Sequence, residues 1–310
     1  MTAGPAPDYR HAMQQSSTQV LRERPSPFAL RRPAQQTLPA VFASPHSGVD
    51  FPAEFLAAAR LDPASLRRSE DCYVDELFAA APRLGAPLLA ALFPRAFVDA
   101  NREPLELDPH MFEDPLPPEA NTASPRVAAG LGVIARVVAT GEEIYGRKLR
   151  FAEALARIER YYRPYHAMLG TLIAETKRRF GHCVLVDCHS MPSVGGPTER
   201  DAGRERVDVV LGDCRGSSCA AALMDLAEGA LSRLGYAVAR NDPYSGGFVT
   251  QHYGRPGEGV HALQIEINRA LYLDEATLAR GPGFARVVAD MSELVRALGE
   301  IARGLGAVAA

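Results

Sequence analysis

Two histidines stand where short apolar runs give way to polar chain. His46 closes Pro39-Ala-Val-Phe-Ala-Ser44-Pro45-His46-Ser47-Gly48, and His189 closes Cys183-Val-Leu-Val-Asp187-Cys188-His189. A catalytic zinc site takes three nitrogen or oxygen ligands from the protein and keeps one position open for water. His46 and His189 supply two such ligands, and the adjacent acids Glu70 and Asp71 are alternatives for the third. Glu266 lies between apolar neighbours in Gln264-Ile265-Glu266-Ile267. A carboxylate buried there is costly unless it is paired or ligated, and burial raises its pKa toward that of a general base. Together these groups point to hydrolysis assisted by a metal ion. Arg95, Arg102, Arg204 and Arg269 sit in segments punctuated by Gly and Pro. Their guanidinium forks suit carboxylates, so a dicarboxylate substrate would use such groups. Each residue also has a plainer use, as a hydrogen-bonded loop histidine, an outward-facing glutamate or a surface charge. The recurrence of polar groups at strand ends is what favours chemistry, because ligands of open α/β sheets gather beyond the carboxyl ends of the strands. Asn241-Asp-Pro-Tyr-Ser-Gly-Gly-Phe248 is a Gly-rich turn able to approach a ligand closely, but the chain has no phosphate-loop, GxSxG or HExxH pattern.

The elements that must position these groups alternate between strand and helix. Apolar runs at 39–44, 86–93, 183–187, 207–211, 236–240 and 261–267 read as strands. Helical periodicity covers 63–84, 142–180 with an interruption at Arg163-Pro164, 217–234 and 282–307. Residues 103–140 are rich in Pro, Glu and Gly without a period, and so long an irregular stretch suits a lid or binding loop. The pattern predicts an α/β fold of three layers, a mostly parallel or mixed sheet flanked by helices. Residues 1–38 read as a flexible N-terminal arm and 39–310 as a single domain.

Composition narrows the function class. The chain has 310 residues, 47% of them hydrophobic and 23% charged, which is a globular balance rather than a disordered one. Lys and Arg number 34 against 37 Asp and Glu, a net charge of -3 that argues against nucleic acid as a partner. No apolar run is long enough to span a membrane, and the first residues lack a secretory h-region. The five cysteines form no CxxC pair, which suits free thiols in a reducing cytoplasm.

In order along the chain, Ser44-Pro-His46-Ser-Gly48, Asp71-Cys-Tyr-Val-Asp75, Asp99-Ala-Asn101-Arg102, Tyr161-Tyr-Arg-Pro-Tyr-His166, Asp187-Cys-His189-Ser190, Tyr253-Gly-Arg-Pro-Gly and Gln264-Ile-Glu266-Ile-Asn268-Arg269 resemble the N-formylglutamate amidohydrolase family. Each motif is short; their order over residues 40–275 is what is specific. The resemblance implies a hydrolase with one zinc ion and a fold similar to that of zinc carboxypeptidases. It implies His46, Asp71 and His189 as metal ligands, with Asp71 preferred to Glu70, and Glu266 as the catalytic carboxylate. It implies that Asn101, Arg102, His166 and Arg269 hold the substrate; Arg204, read from its own segment, is a further substrate candidate, and His166 would also assist catalysis as an oxyanion donor. The implied reaction releases formate from an N-formyl amino acid, as at the end of histidine degradation. A zinc amidase for another N-acyl amino acid or peptide, and a metal-free protein that binds small acids, are the competing possibilities. Oligomeric state is not legible in the sequence.

Overall fold

One seven-stranded sheet, in the order β1-β3-β2-β4-β7-β5-β6, organises the chain. The computed structural model describes residues 26–308 apart from Thr198, so the first 25 residues of the expected arm lie outside the described residues. The strands are β1 (Phe28–Arg31), β2 (Ala40–Ser44), β3 (Leu88–Ala91), β4 (Cys183–Met191), β5 (Val209–Gly212), β6 (Val238–Arg240) and β7 (Val260–Asn268). β3, β2, β4 and β7 run parallel, while β1 joins β3 and β5 joins β7 antiparallel, so the sheet is mixed. β4 is buried along its whole length, as a central parallel strand covered on both faces must be.

Side chains alternate between the two covering layers because the strand period is two. On one side Phe42, Val184, Val186, Leu263 and Ile265 pack with Leu223 and Leu231 of helix Ala221–Arg233 and with Met291, Leu294 and Leu298 of helix Phe284–Val308. On the other, Val41, Ala43, Leu185 and Ala262 pack with Tyr165, Leu169 and Leu172 of helix Arg163–Phe180. This is the expected three-layer α/β architecture. The alternation also sends Asp187, His189, Gln264 and Glu266 to the second side, and the β4–β7 register sets His189 directly beside Glu266.

Three elements depart from expectation. Residues 28–31 are a strand rather than part of a flexible arm; four residues flanked by prolines are too few to show a period. The segment 63–84 is not one helix. It divides into Pro63–Leu66, a 3₁₀ turn Arg67–Ser69, Val74–Leu77 and Ala81–Leu84, broken where Glu70 is extended and Tyr73 is left-handed at φ 63°. Helix begins at Phe151 rather than 142, and the break at Arg163-Pro164 is a π-turn, Ile158–Tyr162, which places Pro164 in the first turn of the helix Arg163–Phe180, where a missing N–H is harmless. Residues 103–140 are irregular apart from short turns at Pro109–Met111 and Pro125–Ala128.

Candidate metal centre and its cavity

The chain turns sharply after β2 to deliver His46. Gly48 allows this: a Cβ there would lie 2.4 Å from the backbone of Leu92 and Phe93. The His46 carbonyl accepts a hydrogen bond from Asp71 N at 3.0 Å, which pins the broken 63–84 segment beside it. Asp71 therefore reaches the site from a turn between two helical pieces, not from the start of a helix.

The three side chains converge although they are far apart in sequence. Asp71 Oδ2 lies 2.9 Å from His189 Nδ1 and 3.3 Å from His46 Nδ1. One donor atom from each of His46, Asp71 and His189 falls within 4.8 Å of the other two, and all three residues are buried. This cluster could hold a metal ion. Each far imidazole nitrogen also meets a carboxylate. His46 Nε2 is hydrogen-bonded to Asp99 Oδ1 at 2.7 Å, whereas His189 Nε2 lies 3.0 Å from Asp187 Oδ1 without hydrogen-bond geometry and 3.1 Å from Asn101 Nδ2. A carboxylate hydrogen-bonded behind a histidine fixes the tautomer with the proton on the far nitrogen, as Asp99 does for His46, leaving the near nitrogen free to ligate. The donor set, two nitrogens and one oxygen with acids behind both rings, fits a divalent cation.

The electrostatics point the same way. Burial opposes charge on Asp71, yet the imidazoles of His189 and His46 hold its carboxyl well below the usual range. Burial likewise opposes charge on Asp99, and Arg102, Arg95 and His46 outweigh it. Against its own desolvation, His189 is pushed well above an ordinary histidine by Asp187, Asp71 and Glu266. Buried carboxylates in this number call for positive charge among them. Glu266 differs: burial raises its carboxyl to about 7, against the pull of His189 and Arg95. Its Oε1 accepts a hydrogen bond from Gln264 Nε2 at 2.9 Å, and Gln264 Oε1 accepts one from Gly247 N at 2.7 Å.

A cavity of about 580 Å³ opens over this cluster, walled in part by Arg95, Arg102, Arg126, Tyr244 and Glu266. Several expected residues have other duties. His166 does not line it. Its Nε2 lies 2.8 Å from the Ala100 carbonyl, so that nitrogen carries the proton, and Nδ1 faces Tyr253 Oη at 3.0 Å. The rings of Tyr162, Tyr165, Phe248 and Tyr253 surround it. Burial among them pulls its pKa down to about 4. Arg204 is exposed and is not among the residues that line the cavity. Glu70 is paired two-pronged with Arg67, at 2.7 and 3.0 Å, leaving Asp71 as the acid in the cluster. Arg269 is buried, borders the cavity and is bonded to Asp71 Oδ1 at 3.0 Å and Ser190 Oγ at 3.2 Å. Asn101 borders the cavity, but its amide accepts from Val249 N at 2.7 Å and reaches Asp187 Oδ2 at 3.4 Å. Arg102 remains on the wall.

Sequence reasoning did not single out Asp99 and Asp187 as supports, nor Arg126. A usable sign existed for Asp187: two residues before His189 on one strand, it must share its face. Nothing local marks Arg126, which comes from the irregular 103–140 stretch.

Comparison with known proteins follows the same lines. A sequence model of the family described as N-formylglutamate amidohydrolase matches residues 38–273. An N-formylglutamate deformylase from Pseudomonas aeruginosa is 31% identical over 265 residues, 84% of this chain and 90% of that one. Another from Pseudomonas putida is 27% identical over 244 residues, 78% of this chain and 84% of that one. A crystal structure of N-formylglutamate amidohydrolase from Ralstonia eutropha superposes with a TM-score of 0.83 at 41% identity, covering 90% of this chain and 99% of that one.

Proposed function

The chain belongs to the N-formylglutamate amidohydrolase family, and on that premise we propose that it hydrolyses the formyl amide of N-formyl-L-glutamate to formate and L-glutamate at one metal site built by His46, Asp71 and His189. It is an amidohydrolase that acts on N-formylglutamate, a small-molecule substrate. The cation proposed for the site is zinc, which the family resemblance implies and which two imidazoles and one carboxylate suit. When bound, such an ion lowers the pKa of a coordinated water toward neutrality and polarises the amide carbonyl.

The rest falls to side chains. Glu266 takes the proton from the attacking water and returns it to the departing amide nitrogen, so the amine leaves neutral. Its hydrogen bond from Gln264 occupies Oε1 and leaves the second oxygen for proton transfer. Asp99 and Asp187 keep the two imidazoles turned toward Asp71, with Arg95 at 2.8 Å from Asp99 Oδ2 holding that carboxylate in turn. Arg269 fixes Asp71 from behind. His166 secures the Ala100 carbonyl and hence the turn that carries Asp99, Asn101 and Arg102. The five cysteines are free thiols, four of them buried, which suits a reducing cytoplasm. Among the described residues no helix is long and apolar enough to cross a membrane.

The observation that carries this reading is the convergence of His46, Asp71 and His189 within 4.8 Å, with Glu266 beside His189 in the β4–β7 register. Formate release from N-formyl-L-glutamate, measured with metal content on one preparation, tests it. Activity that persists at full rate in metal-depleted protein would overturn it.

A further inference from the structure

Hydrolysis at the metal leaves the substrate's two carboxylates to be held elsewhere, and two of the five arginines lining the cavity, Arg95 and Arg269, are already occupied. Arg269 is bonded to Asp71 and Ser190, and Arg95 donates two hydrogen bonds to Asp99 Oδ2, at 3.2 and 2.8 Å. Arg102 is different. Its Nε and Nη1 donate to the carbonyls of Leu131 and Asn101, both at 2.8 Å, which fixes the guanidinium plane. Nη2 is left over, with Asp99 Oδ2 as its anion at 3.8 Å.

Arg126 comes to the same wall from the 103–140 loop. Its Nη1 stands 4.0 Å from Glu106 Oε2, too far for a hydrogen bond. Glu106 is 2% exposed; its Oε1 accepts from Ser124 Oγ, while Oε2 is buried and has no hydrogen-bond partner among the described residues. The loop is not free to drift. Asp99 N donates to the Val133 carbonyl and Val133 N to the Glu106 carbonyl, each at 2.8 Å, and Ser124 Oγ caps the turn that bears Arg126 at 3.0 Å. Two guanidinium groups thus face one cavity with donors to spare. Burial, with the charge of Arg126 added to it, draws the Arg102 guanidinium down to about 10. Neighbouring like charges on a desolvated wall are unfavourable until an anion lies between them.

We propose that Arg126 and the free Nη2 of Arg102 clamp one carboxylate of the substrate and make the site reject N-formyl amino acids in which that carboxylate is neutral. The proposal rests on the N-formylglutamate reading and extends it to specificity. An N-formyl amino acid lacking that carboxylate would leave the two cations unneutralised, and a site built for a charged partner rejects analogues without it. The charged fork of arginine, not merely a positive charge, is required for two-pronged binding.

Two readouts separate the clamp from the hydrolase assignment. Formate release by the unaltered enzyme reads the hydrolase. Calorimetric affinity of the metal-loaded protein for glutarate, which has two carboxylates and no amide, reads the clamp without turnover. Arg126→Ala should weaken glutarate on the order of tenfold or more and raise KM for N-formyl-L-glutamate by about 10²-fold, with kcat changed by less than about threefold. Arg126→Lys should recover part of that loss. N-formyl-L-glutamine lacks the γ-carboxylate and the α-amide of N-formyl-L-glutamate lacks the other. The amide missing the clamped group should be disfavoured by about 10²-fold in the unaltered enzyme and by almost nothing in Arg126→Ala. Unchanged glutarate affinity, with both preferences intact in Arg126→Ala, overturns the clamp. Absence of formate release from the unaltered enzyme overturns the hydrolase reading, and the glutarate comparison then still decides the clamp.

Discussion

His189 is buried and His166 half-buried, and their surroundings give them opposite character. His189 sits where β4 and β7 end, amid Asp71, Asp187 and Glu266, and those acids overcome desolvation and push it well above an ordinary histidine. His166 lies within the aromatic cage of Tyr162, Tyr165, Phe248 and Tyr253, and burial drives it down to about 4. One pocket is built for positive charge and the other excludes it. The imidazole is the same in each; the neighbours decide whether it can serve a cation or can only brace a backbone carbonyl.

The sharpest way to break this contrast is to remove each ring. His189→Ala should lose stoichiometric metal and at least about 10³-fold in turnover, whereas His166→Ala should keep its metal and lose about 2–4 kcal/mol of stability from a cavity and a lost hydrogen bond. Metal analysis and denaturant unfolding read the two. Equal metal loss from both would erase the distinction. Next in size, Glu266→Gln should retain metal while kcat falls about 10²–10⁴-fold, the usual yield of a positioned base; near-normal kcat would remove Glu266 from that role. Asp187→Asn tests what stands behind the ring, and a drop of about 10–100-fold in metal affinity by competition with a chelator is expected.

A pH comparison on metal-free protein is the finest instrument. For His166 the folded pKa, about 4, lies below the ordinary 6.5, so the unfolded chain binds more protons between those values. Stability should therefore fall as pH drops from 6.5 to about 4, by on the order of 2–3 kcal/mol, and His166→Gln should flatten that slope. For His189 the folded pKa is raised, so its contribution is complete below 6.5 and is lost as pH climbs through the folded value. Urea unfolding of the two single variants across pH 4–9 should show slopes altered on opposite sides of about 6.5. Slopes altered on the same side would contradict the account of both pockets.

Much of this was legible without coordinates, for a definite reason. The period of two in β4 and β7 is local, so the burial of these runs, the shared face of Asp187 with His189 and of Gln264 with Glu266, and the polar strand ends could all be read from residue order. The ordered motifs gave the family, and the three residues that the resemblance implies as ligands come together in space. What escaped lies with long side chains and irregular backbone. Nothing in spacing distinguishes Arg269, spent on Asp71, from Arg126, free toward the cavity, or Arg204, turned to solvent. His166 falls within a family motif, and only the packing of helix Arg163–Phe180 against Phe248 and Tyr253 turns its ring away from the cavity. The four-residue β1 had too few positions to show any rhythm.

Residue order by itself determined the α/β layering, the strand-end chemistry and the family, because those follow from patterns that repeat over a few neighbouring positions. Tertiary structure alone decided which acids stand behind the histidines and which arginines remain available. Those outcomes come from competition among charged groups brought together from remote segments, and burial magnifies the electrostatic difference between a partner at 3 Å and one at 4 Å.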